Sequence, residues 1–172
     1  DQEKNEGTAL EDTLFQLGQV LQENVDAGIR PKEAFQAISE YAASNIEEFL
    51  YDYIGEKINH HEEGAANELL ETFMPFMHDG RWFHLLEARL LFSQDEKAAL
   101  TIIETVFDMT KRGEEAVDID FEMLAILAEF GHDEPLFTKI AAELMQYLTS
   151  DEDWIDFIDL VEDFFAHNPA SE

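Results

Sequence analysis

Residues 151–165 read DEDWIDFIDLVEDFF, and helical spacing sorts them cleanly. In an α-helix, residues three and four apart share a face. Trp154, Ile158, Val161 and Phe165 then fall on one face, and Glu152, Asp156, Asp159 and Asp163 on another. A half-buried strand would alternate with period two, which this stretch does not. Like charges at these spacings each cost ~0.2–0.5 kcal/mol. Packing of the apolar face must outweigh that cost, so the stretch predicts an amphipathic helix with an acidic coat.

The whole chain repeats this character. Its 172 residues carry 40 Asp and Glu against 10 Lys and Arg, a net charge of -30. Such a charge can keep a chain unfolded, but 45% of the residues are apolar and 14 Phe, 4 Tyr and 2 Trp are enough to build a core. Residues 113–172 hold 17 acidic residues and one basic residue, Lys139, a balance of -16. That field repels phosphates and anionic membrane surfaces, so neither is expected as a direct ligand, and it favours basic partners. The chain has no Cys, which removes disulfides, thiolate nucleophiles and Cys-based zinc sites. Apolar runs of only a few residues predict no membrane span. The opening Asp1-Gln2-Glu3-Lys4 lacks the basic start of a signal peptide. A cytoplasmic location is the expectation.

Read along the chain, the same periodicity predicts about nine helices and no strand. Thr8 with Glu11 reads as a capping box ahead of the stripe Leu10, Leu14, Leu17 and Leu21, with Gly28 as the stop. Pro31 suits the first turn of the second helix. Ser44 with Glu47 and Ser93 with Glu96 read as further capping boxes. Pro75 should end or kink the fourth helix, since its ring clashes with the preceding turn. Gly113 and Gly131 read as stops, Asp133 and Pro135 as a start, and Thr149 and Ser150 as candidate caps of the last helix. The expected core includes Leu17, Leu21, Phe49, Leu70, Phe73, Leu86, Ile103, Leu124, Ile140, Leu144 and Ile158.

Short loops between such helices predict an all-α fold of antiparallel αα-hairpins. A right-handed stack of pairs resembling a helical repeat is the preferred arrangement, and an irregular bundle the alternative. Leu14-x-x-Leu17-Gly18-x-x-Leu21 resembles the first helix of a tetratricopeptide repeat, but Leu21 to Ala34 is a turn too long for that repeat. The likeness identifies no family. One domain is expected over residues 8–166, with 1–7 and 167–172 unstructured.

The chemistry-bearing motifs are sparse. A di-iron carboxylate site needs two Glu-x-x-His motifs on facing helices, and only Glu129-Phe-Gly-His132 is present. His60-His61, beside Glu56, Glu62 and Glu63, reads as a solvated loop. Asp118-x-Asp120-x-Glu122 alternates like a calcium loop but lacks the Gly at position 6 and the Glu at position 12. No Ser lies in Gly-x-Ser-x-Gly and no Gly-rich phosphate loop occurs. No catalytic residue, cofactor or metal ligand is therefore assigned. The expected function is a non-enzymatic interaction module, adaptor or chaperone-like, that binds a basic or amphipathic protein segment through an apolar groove with an acidic rim. Glu152, Asp156, Asp159 and Asp163 are the candidate partner-binding residues. The alternative is a nucleic-acid mimic that occupies the basic cleft of a DNA- or RNA-binding protein.

Overall fold

The structure is a computed structural model describing residues 2–168, with side chains described for 9–113 and 115–168. Among these residues the fold is all helical, with nine α-helices and no strand. The helices are α1 (Gln2–Asp26), α2 (Pro31–Ser39), α3 (Ile46–Asn59), α4 (Glu63–Phe73), α5 (Gly80–Leu91), α6 (Glu96–Met109), α7 (Val117–Phe130), α8 (Glu134–Leu144) and α9 (Asp151–His167). They fall into two compact units, residues 1–80 and 81–172.

In the first unit, α1 packs on α2 and α3 on α4. Its core holds Leu21, Leu50, Ile54, Ala66, Leu70 and Phe73, all essentially inaccessible to solvent. Pro75 acts as expected: α4 ends at Phe73 and a 3-10 turn, Met74–Phe76, follows. Gly18 is buried inside α1 because α4 comes close there. A Cβ at this position would lie 2.7 Å from Thr72 Cγ2, so the helices meet at this distance only over glycine.

The second unit is built around α7. Both α8 and α9 pack against it, and its Met123, Leu124 and Leu127 are fully enclosed. Ile103 and Val106 of α6, Ile140 and Leu144 of α8, and Phe157 and Phe164 of α9 complete the core. The rings of Phe137 and Phe164 stack with centroids 4.0 Å apart and tie α8 to α9.

Several local expectations change. α1 takes helical backbone from Gln2, so Thr8 lies within the helix and not at its cap, and residues 2–7 are helical where an unstructured lead-in was expected. The cap of α3 is Asn45, whose side chain accepts from the Glu47 and Glu48 N–H groups, and not Ser44. The cap of α6 is Asp95, which accepts from the Ala98 N–H, while Ser93 sits in the preceding turn and donates to the Leu90 carbonyl at 3.4 Å. Ser150 does cap α9, in a full capping box with Asp153. α9 runs to His167, the first residue of the tail expected over 167–172, and residues 169–172 of that tail lie outside the described residues. Of the predicted core, Leu17 is half-buried, and Phe49 and Ile158 are exposed at 40% and 49%. In both exposed cases a neighbour one position along takes the inward place: Leu50 on α3 and Phe157 on α9.

Candidate acidic groove between two helices

Charge in this chain is arranged by a recurring local rule. Four of the basic side chains each sit against a carboxylate and an aromatic ring at once. Lys57 bonds Glu11 at 2.9 Å and Glu62 at 2.7 Å, with its ammonium 5.4 Å from the Tyr53 ring centroid. The two carboxylates raise the Lys57 pKa, holding its charge. Arg89 lies 3.9 Å from Glu129 and 6.0 Å from the Phe130 ring. Lys139 lies 3.4 Å from Asp108, 4.0 Å from Glu104 and 4.8 Å from the Phe107 ring.

The fourth case is the most enclosed. Arg112 donates from Nη1 to both oxygens of Asp120 at 2.9 Å, from Nη2 to the Phe107 carbonyl and from Nε to the Thr110 carbonyl. Its guanidinium also lies 4.1 Å from the Phe107 ring. Asp120 is 1% exposed. Burial pushes its carboxyl above the usual range, and Arg112 acts in the opposite sense. These bonds hold the turn after α6 against the first turn of α7.

The alternating acids 118, 120 and 122 therefore divide. Helical geometry turns Asp120 inward to Arg112, while Asp118 and Glu122, four apart, share the outer face of α7. With Phe121 and Ala125 they form one side of a groove of about 540 Å³, and Asp153, Asp156, Asp159 and Leu160 of α9 form the other. Trp82 of α5 also lines it, and no lining residue is Lys or Arg. Phe121, Ala125 and Leu160 are half-buried and supply apolar lining between the carboxylates. Asp153 is held below the usual carboxylate range by its hydrogen bonds with Ser150, so it is firmly anionic.

Of the four predicted partner-binding residues, all exposed, Asp156 and Asp159 line this groove, and Glu152 and Asp163 do not. Asp118, Glu122, Asp153, Phe121 and Trp82 were not foreseen. The four-residue spacing of Asp118 and Glu122 was visible in the sequence, but their apposition to α9 needs the fold. The first unit carries a second depression, of about 620 Å³, lined by Phe15 and Leu69 with Glu11, Asp12, Glu68 and Glu71, and also by Lys57.

The other motifs resolve structurally. Glu129 pairs with Arg89, and His132 Nδ1 meets Asn168 Oδ1, so the Glu-x-x-His pair is divided between two separate contacts. His60 and His61 close α3, His61 at φ 60°. Among the described residues no group of three or more His, Asp or Glu is arranged to hold a metal ion, and no helix is long and apolar enough to cross a membrane. No family model, no curated protein and no solved structure matches the chain.

Proposed function

We propose that the chain is a non-enzymatic interaction module, adaptor or chaperone-like and cytoplasmic, that binds a basic or amphipathic protein segment in the groove between α7 and α9. The observation that carries this reading is the composition of the groove. Within the protein, Lys57, Arg89, Arg112 and Lys139 are each held by a carboxylate beside an aromatic ring. The groove offers the same pairing, Asp118, Asp153, Asp156 and Asp159 beside Phe121, with no basic lining residue. A partner's Lys or Arg supplies what the lining lacks. Apolar area and cation–π contact provide hold, and the acidic field of residues 113–172 provides fast encounter. A nucleic-acid mimic needs carboxylates along a ridge, whereas these converge across an apolar trough.

Trp82 makes the test direct. In a Trp154→Phe variant it is the sole tryptophan and lines the groove. A nona-arginine peptide should change its emission in stopped-flow mixing, with an association rate that falls steeply as salt rises. Asp156→Lys with Asp159→Lys should slow association about tenfold or more while changing dissociation far less. An emission unmoved by the peptide, or an association rate indifferent to the charge reversal, would remove the groove as the binding site.

A further inference from the structure

The geometry points to a second docking surface on α9, the flank opposite the groove, whose occupant we infer to be a cationic amphipathic helix of another protein. It stands on different residues from the groove and is independent of it.

α9 meets the core along Phe157, Leu160, Val161 and Phe164. To one side of that line are Asp153, Asp156 and Asp159, which serve the groove. To the other side, helical spacing places Trp154, Ile158 and Phe165 in a row, four and seven apart. These three are exposed at 37%, 49% and 46%, and Ile155 beside them at 59%. A helix that buries only Phe157 and Phe164, yet leaves two Ile, a Trp and a Phe open, shows more apolar surface than the described fold uses. The row is continuous with the core, because Phe165 meets Phe137 of α8 edge-on at 6.5 Å and Trp154 meets Phe157 edge-on at 5.9 Å.

Charge chooses the occupant. Asp151 and Glu162 continue the helical row through Ile155 and Ile158 and so edge the flank on its outer side. α9 contains seven acidic residues and no Lys or Arg. A second copy of this chain would bring the same carboxylates against them, a like-charge apposition that disfavours pairing. A helix with an apolar stripe along one face, reaching i, i+4 and i+11, matches Trp154, Ile158 and Phe165, and Lys or Arg beside that stripe matches Asp151 and Glu162.

A Trp82→Phe variant leaves Trp154 as the only tryptophan, now reporting the flank and not the groove. The probe is a synthetic Leu/Lys amphipathic helix free of tryptophan. It should shift Trp154 emission to shorter wavelength, while nona-arginine, which has no apolar face, should not. The decisive variant is Ile158→Glu, which suits an exposed helical site and adds negative charge. Attraction by charge alone predicts equal or tighter binding of the Leu/Lys helix. Docking on the flank predicts about tenfold weaker binding or worse, because the central apolar contact is lost. Phe15→Glu, the same change at an exposed Phe of the first unit, should leave the affinity unaltered. If Ile158→Glu disturbs the far-ultraviolet spectrum, Ile158→Ser replaces it with the same expectation. Trp154 emission unmoved by the Leu/Lys helix, or affinity unchanged in the position 158 variant, overturns the proposal. So does concentration-dependent dimerisation abolished by Ile158→Glu, which would make a second copy the occupant.

Discussion

Asp120 is the one acidic side chain buried from solvent among the described residues. A carboxylate 1% exposed is tolerable only because Arg112 meets both of its oxygens. Arg112→Met keeps much of the side-chain volume but leaves the charge buried and unmatched, and should cost ~3–5 kcal/mol in urea unfolding near neutral pH. Replacing both, Arg112→Met with Asp120→Leu, should recover most of that loss, since an apolar pair needs no ionic partner. The pH dependence has a definite sign. Burial raises the native carboxyl above its unfolded value, so the native state binds a proton more readily and stability from this group rises as pH falls through the native value. Removing Arg112 raises that value further. The deficit of Arg112→Met relative to the parent should therefore shrink as pH falls from neutral toward the raised native value, and a deficit that widens on acidification would contradict the account.

At the scale of helices, the sequence placed all nine segments, because 3.6-residue periodicity survives any choice of exact boundary. It misplaced three caps: Thr8, which lies inside α1, and Ser44 and Ser93, each one or two residues off. Ser44 and Asn45, or Ser93 and Asp95, are equally able to accept a first-turn N–H, and which one does so depends on how the preceding chain arrives. The structure makes a separable prediction at α6. Asp95→Ala should cost ~1 kcal/mol in thermal or urea unfolding, whereas Ser93→Ala, outside the cap, should cost under ~0.5 kcal/mol. Equal losses would restore Ser93 as the cap. The faces of α9 were harder to read. Apolar residues occupy more than half of its girth, so Trp154, Ile158 and Val161 compete with Phe157, Leu160 and Phe164 for the inward line. Only the neighbouring α7 and α8 decide, and they select Phe157 and Phe164. The groove escaped the sequence for the same reason: its two walls lie on helices separated by all of α8.

For the whole molecule, the excess of thirty negative charges sets the response to solvent. These charges repel within a compact body and lie farther apart in the unfolded chain. The melting temperature should rise from low salt to ~0.15 M NaCl, where the screening length is about 8 Å. A steady fall over that range would show that ion pairs such as Lys57 with Glu11 and Glu62 outweigh the general repulsion.

The charge pattern of the last 60 residues also governs which covalent bonds the surface can form. Lys139 is the single lysine in residues 113–172, and α9 has none. A carbodiimide joins an activated carboxylate to a primary amine, so the α9 carboxylates have no amine on their own helix to capture them. Zero-length coupling at this helix thus reads out the lysines of whatever lies against it. Amine-directed reagents, by contrast, pass it by and leave its acidic and apolar flanks unmodified.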